Sequence, residues 1–448
     1  MPMTIEPWIT AALPFAGLLA IGCGPSAADV EPGHETGACV QYECLGELVC
    51  LSDLCVDPDS EVATGGDGGS ATGDGNPTAD DSGGPAVPLT SVSVLVVLDN
   101  SGSMGEEQAV LPAALASLTD ALTTAGIAWR LGITTTDNGN PWCDGTGPEG
   151  GRLVATSCRS RTQDFVFNGA ITIDATDEAC LSQCPEAWSN IAIQPSADGA
   201  THPWIESLPG GTNLPDGLAV ADALSCFVPQ GISGCGFESH LESMKKAIDR
   251  AGTPGEENEG FLPDGALLAV VMVSDEADCS VNPEWNTIFL PDGNRVFWSN
   301  PRDGAPTSAV CWNAGVACNG GSCSSVDRDV NGSPAAMPDT DAVLYPVSRY
   351  SMSLQTPAAS MFALIGGVDA TGSVIYAVSQ IDPGFQLDFG IGPGCESAAG
   401  QAVPPVRMRE IADSLADGAQ NMFSICDSSY GAAMEAYASA IVARMQGG

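Results

Sequence analysis

The stretch Ser91-Val-Ser-Val-Leu-Val-Val-Leu98 is apolar at nearly every position, and a strand with no polar face has to be covered on both sides. That suits the middle of a parallel sheet, where function gathers at the carboxyl ends of the strands. This strand runs directly into Asp99-Asn100-Ser101-Gly102-Ser103-Met104. A carboxylate followed by two hydroxyls at alternate positions offers hard oxygen ligands from one short loop. Such a set suits Mg²⁺, Mn²⁺ or Ca²⁺ rather than a soft metal. Few carboxylates leave the ion under-neutralised, so it would still attract a carboxylate from outside. An isolated Asp-x-Ser-x-Ser is equally an ordinary turn, and the neighbouring elements must decide.

Those neighbours are ordered. Gly105-Glu106-Glu107 opens a helix with Leu111, Leu115, Leu118 and Leu122 on one face, and Gly126 ends it. Trp129 to Thr134 reads as the adjacent strand. A second apolar run, Ala266 to Val273, leads into Ser274-Asp275-Glu276-Ala277-Asp278. Together these resemble the metal-ion-dependent adhesion site of von Willebrand factor A domains, over about residues 91 to 445. The resemblance implies that Asp99, Ser101 and Ser103 hold a divalent ion and that Asp275 supports it through water. It also implies a protein partner whose carboxylate completes the shell.

Family members usually add a Thr from a third loop, and here two segments compete. Gly210-Gly211-Thr212-Asn213 looks like that Thr loop and precedes a short helix, Asp216 to Leu224. Gly234-Cys235-Gly236-Phe237-Glu238-Ser239 instead opens the helix bearing Leu241, Met244, Ala247 and Ile248, which leads toward the Ala266 strand. Topology favours the second. Glu238 or Ser239 would then be a ligand or merely a helix cap, and Thr212 stays a candidate. A bound Glu238 would neutralise the ion further.

Alternating strands and helices imply an α/β fold, a doubly wound, mostly parallel sheet occupying 89–448. Later elements are a strand at 361–365, a helix at 406–415, a strand at 421–425 and a helix at 432–445. Residues 138–209 and 281–345 are rich in Gly, Pro, Asn and Cys without a sustained period, and read as insertions over the face that bears the site. In the second, Asp327-Arg328-Asp329-Val330-Asn331-Gly332 begins like a calcium loop, with Pro338 where the loop's closing Glu would stand. A solvated turn accounts for it as well.

The amino end reads as an export signal. The apolar segment Trp8 to Ile21 precedes Gly22-Cys23, so residues 1–22 resemble a lipoprotein signal peptide with Cys23 acylated and 23–38 as tether. Glu6 and the lack of Lys or Arg in residues 1–8 depart from that pattern. Gly24 favours the outer membrane by resemblance. Removing Cys23 from the 17 Cys leaves 16, an even set suited to disulfides. Four fall in a small module at 39–56 and 12 lie between Cys143 and Cys426. With only His34, His202 and His240 to help, zinc is a poor reading. Residues 57–88 are Gly, Asp, Ser and Thr, a disordered linker spanning about 30 Å as a flexible coil. Membrane attachment would be through the lipid alone.

A net charge of −42 from 14 basic and 56 acidic residues opposes binding to nucleic acid or anionic membrane. No nucleophile elbow, zincin helix or phosphate loop is present, so binding is expected rather than catalysis. The enzymatic alternative is a metal-assisted hydrolase acting on a surface polymer, with Glu238, Glu276 or Asp278 as base. A Ser-His-Asp set on His202 or His240, or a Cys395 nucleophile, has no motif behind it. A structural surface role without metal is the other alternative.

Overall fold

The computed structural model describes residues 88–447, apart from 144, 170, 320, 356, 378–382, 398–399 and 417, together with the backbone of Val49–Leu51 and Leu54–Val56. The predicted signal peptide, Cys23, the tether, most of the four-Cys module and the linker up to residue 87 lie outside the described residues. The chain divides into two units, 1–82 and 83–448. In the first, Val49–Leu51 and Leu54–Val56 pair antiparallel with Cys50 opposite Cys55.

The second unit contains, in order, β1 (Ser91–Leu98), α1 (Gly105–Thr124), β2 (Trp129–Thr135), β3 (Ile205–Leu208), β4 (Gly211–Thr212), α2 (Val220–Phe227), α3 (His240–Ala251), β5 (Ala266–Val273), α4 (Ala309–Gly315), α5 (Val347–Ser353), β6 (Ala359–Gly366), α6 (Val406–Ser414), β7 (Met422–Ser424) and α7 (Gly431–Gly447). The strands form one seven-stranded sheet ordered β7-β6-β5-β1-β2-β3-β4. From β7 to β2 all neighbours are parallel; β3 joins β2 antiparallel and β4 turns back on β3. This is an α/β fold around a mostly parallel sheet.

Both central strands are buried at every residue. Val92, Val94, Val96 and Leu98 of β1 pack with Leu111, Leu115, Leu118 and Leu122 of α1 and Met434 and Ile441 of α7. On the other face, Leu95 and Val97 meet Leu241, Met244 and Ile248 of α3, Tyr350 of α5 and Met408 and Ile411 of α6. Each such side chain contributes about 1.5–3 kcal/mol by leaving water. The Leu spacing foreseen for α1 is the buried face, and Gly126 at φ 73° closes the helix by donating to Thr123 O at 3.0 Å.

The insertions are not bare loops. Residues 138–209 end in β3, which is core sheet, and 281–345 contains the short helix at 309–315; the helix at 347–353, just beyond it, had no visible period either. All twelve Cys between Cys143 and Cys426 are bridged: 143–235, 158–180, 184–226, 279–311, 318–323 and 395–426. Two small apolar clusters form around these bridges, one with Cys158, Cys180 and Phe165, the other with Cys279, Cys311, Phe289 and Trp298. Among the described residues no helix is long and apolar enough to cross a membrane.

Candidate functional site

At β1 the strand order reverses: β2 lies on one side and β5, which comes much later in the chain, on the other. The loops that leave these strands therefore diverge to opposite faces and open a crevice at their carboxyl ends. Asp99 N–H donates to Val273 O (3.0 Å) and Thr136 N–H to Leu98 O (3.1 Å), which holds the loops in register. Buried Gln108 of α1 ties them to the chain before α3. Its Nε2 donates to Asp99 O (3.1 Å) and Gly231 O (2.7 Å), while its Oε1 accepts from the amides of Gln230 (2.8 Å) and Gly231 (3.1 Å). Gly234 donates to Asn100 O at 2.8 Å, and a Cβ there would stand 2.3 Å from Asn100 Oδ1, so any larger residue has to displace the Asn100 side chain.

Asp99 has no solvent exposure. Oδ1 accepts from Ser101 N–H (2.8 Å) and Oδ2 from Ser274 Oγ (2.6 Å). His240, also fully buried, stands between two aspartates, Nε2 at 3.8 Å from Asp99 Oδ2 and Nδ1 at 3.7 Å from Asp278 Oδ1. These are ion-pair distances, and neither ring nitrogen has a hydrogen-bond partner. Burial pushes the imidazole down, but Asp278 and Asp99 more than offset it and hold it at about 9, so it is an imidazolium at neutral pH. Burial likewise pushes the Asp99 carboxyl up, while His240, Ser274 and the Ser101 amide together bring it below its ordinary value. Asp278 is held far down against burial by His240, Arg407 and Ser280, with Arg407 Nε at 2.9 Å.

A second group of acids has no such support. Glu238 is fully buried and both its oxygens lack a hydrogen-bond partner. Burial, then Asp99, Glu276, Asp137 and Asp275, push its carboxyl well up. Asp275 Oδ1 is also shielded and unpartnered, and burial followed by Asp99, Glu276 and Glu107 raises that group, with the Ser103 hydroxyl opposing. Burial is the main cause at Glu276, raised to about 8, and at Glu107, raised to about 7. Ser103, Glu107, Asp275 and Gln401 line a cavity of about 200 Å³ on this side.

Of the residues named from sequence, Asp99, Ser101, Ser103, Glu238 and Asp275 come together. Thr212 does not. It pairs with Ser207, which pairs with Trp129, which pairs with Val92 at the start of β1, so it lies about 20 Å along the strands from Asp99. Gly210 and Gly211, both at φ 128°, make that segment a tight hairpin turn. Ser239 is the N-cap residue of α3, but neither its side chain nor that of Glu238 makes a capping bond; Ser239 Oγ donates to Cys279 O at 3.0 Å. The Asp327, Asp329, Asn331 segment closes as a turn, Asp329 Oδ1 accepting from Asn331 N–H (2.8 Å) and Ser333 N–H (2.9 Å). Cys395, bridged to Cys426, is no nucleophile. His202 pairs with Asp198 at 2.8 Å and stacks on Trp204 beside β3. The roles of His240 and Arg407 were not legible, because Arg407 meets Asp278 across 129 positions.

Among the described residues no three His, Cys, Asp or Glu side chains converge as a metal-ligand set. A hard cation here would rely on hydroxyls. Ser101 Oγ and Ser103 Oγ stand 3.2 Å apart, near the roughly 3 Å edge of an octahedron with ligands at 2.1 Å. The unpartnered oxygens of Glu238 and Asp275 fit the same need. No protein-family model matches the chain, and no curated protein matches it.

Proposed function

We propose that this chain is a cell-envelope lipoprotein whose 89–448 region is an A-type adhesion domain that captures a protein partner through a divalent cation. The observation that carries the reading is Glu238: a fully buried carboxylate with two bare oxygens, surrounded by further carboxylates. An isolated buried charge is costly and is normally paired or coordinated to metal. His240 is already engaged by Asp99 and Asp278, so without an ion Glu238 holds its proton, and a bound Mg²⁺, Mn²⁺ or Ca²⁺ would replace that proton and take up its bare oxygens.

In this reading Ser101, Ser103 and Asp99 hold the ion, Asp275 stands behind Ser103, and a partner carboxylate reaches the ion from outside. The β7-β6-β5-β1-β2-β3 order, with β3 alone reversed within it, and helices on both faces support the A-type assignment. Export is supported by the six bridges. The bound ion would supply Lewis-acid attraction for a carboxylate; the protein supplies a fixed ring of oxygens.

The test is titration calorimetry of the full chain with Mg²⁺, Mn²⁺ and Ca²⁺, beside a pull-down from envelope extract with and without chelator. Asp99→Ala should lower affinity at least about tenfold, roughly 1.4 kcal/mol, and abolish the chelator-sensitive capture. Ser101→Ala should weaken binding less, because it removes a neutral ligand. Equal binding by wild type and Asp99→Ala would return the loop to a turn.

A further inference from the structure

The site is buried around Asp99 and Glu238 and open at Ser103, which lines the cavity beside Asp275. Asp99 and Glu238 have no exposure, Ser101 has 2% and Asn100 7%. Phe167, from the first insertion, lies on Gly102, where a Cβ would meet its ring at 2.9 Å. Of the three loop oxygen donors only Ser103 belongs to an exposed residue.

Glu238 is fixed in this enclosure by its backbone. Cys279 N–H donates to Glu238 O at 2.7 Å and Ser239 N–H to Thr136 O at 3.0 Å. Just before it, Cys235 is bridged to Cys143, and its amide donates to Asp137 Oδ2 at 3.3 Å. The segment is thus tied to the ends of both β2 and β5. Its carboxylate, facing other acids and no donor, is not used to hold the loop.

Resting on the divalent-ion reading above, we propose that Glu238 is the chain's own substitute for a partner carboxylate, ligating the ion in the resting state and keeping it from outside ligands. With Glu238 ionised, Asp99, Asp275 and Glu238 set three negative charges against the divalent ion and the His240 imidazolium beside Asp99. A neutral centre no longer recruits an acidic group, so capture requires Glu238 to be displaced and Phe167 to move off Gly102. The pairing gives the domain a built-in off state.

The experiment uses Mn²⁺ as probe on the full chain, reading affinity and the water-proton relaxation rate per bound ion. Glu238→Ala should weaken Mn²⁺ about 10- to 100-fold and raise the relaxation rate, because water takes the vacated position. Millimolar acetate should then lower the rate in Glu238→Ala and leave wild type unchanged. Glu238→Gln, of equal size, should melt higher than wild type in chelator and gain less from Mn²⁺; a merely structural Glu would give a lower melt. Unchanged affinity and relaxation in Glu238→Ala, or an acetate effect in wild type, overturns the internal-ligand assignment while leaving metal binding standing. Absence of Mn²⁺ binding in wild type, or equal binding by Asp99→Ala, overturns the underlying reading instead.

Discussion

Among the described residues six aspartates, Asp99, Asp137, Asp174, Asp198, Asp329 and Asp369, accept from the amide two positions on. Asp99 accepts from the amide of Ser101, Asp329 from those of Asn331 and Ser333, and Asp369 from those of Thr371 and Ser373. Asp329 and Asp369 do so at the surface, where water completes the carboxylate. Asp99 does so with no exposure, its second oxygen held by Ser274. Asp137 is buried as well but spends its second oxygen on the Cys235 amide, so burial and the partners of the second oxygen together set Asp99 apart, and both depend on residues far away in sequence. Gly234 is one of them. Gly234→Ala must displace Asn100 and should cost about 1–3 kcal/mol, whereas Gly236→Ala, with open space around its Cβ, should melt within about 0.5 kcal/mol of wild type. Arg407 is another. Arg407→Met removes the partner of Asp278 Oδ2 and leaves the carboxylate His240, the Ser280 hydroxyl and the Leu241 amide, which should cost about 3–5 kcal/mol; chemical denaturation measures both, and a neutral Arg407→Met would show that these remaining partners suffice for Asp278.

At the scale of elements, disulfides stand where the site loops would otherwise be loosest. Cys143–Cys235 adjoins Gly234, Cys279–Cys311 follows Asp278, and Cys395–Cys426 borders the cavity beside Asp275. Replacing Cys143 and Cys235 by Ser opens a separation of 92 residues and should cost about 2–5 kcal/mol, together with a loss of divalent affinity. The same change at Cys318 and Cys323 releases a separation of only 5 in a surface hairpin and should leave affinity unaltered. Equal affinity in both pairs would detach the Cys143 bridge from the site. The central elements were readable because β1 and β5 are nearly continuous apolar runs and α1 repeats Leu at helical spacing. Ile205–Leu208 was not, since four residues on the sheet's outer side carry no period, and Val347–Ser353 is a two-turn helix whose burial comes from α3 and α6. Asp99, Ser101, Ser103 and Asp275 were legible because each follows a strand. Thr212 misled because a Gly-Gly-Thr loop has the same letters at either end of a sheet.

The whole molecule carries −42 at pH 7, and its buried acids with raised pKa make stability fall as pH rises above neutrality. Glu276 titrates at about 8 in the fold instead of 4.5, and Glu107 at about 7. In the window between those values the native state holds more protons than the unfolded chain, so stability falls as pH rises through it. His240, raised from 6.5 to about 9, acts the same way: its contribution is complete below 6.5 and is lost as pH climbs through about 9. Asp278, held low by His240 and Arg407 after opposing burial, sets the acid limb, where stability is lost as its carboxylate protonates. The chelated protein should therefore melt highest near about pH 5 and steadily lower toward pH 9. A divalent ion binds the ionised carboxylates and stabilises the native state by mass action, so added Mn²⁺ or Ca²⁺ should flatten the descending limb and raise the melting temperature most at alkaline pH. Melting curves across that range, with chelator and with saturating ion, measure both effects. A chelated protein that grows more stable between about pH 5 and 9 would mean that these acids ionise at no cost, and the need for a cation at the head of β1 would vanish with it.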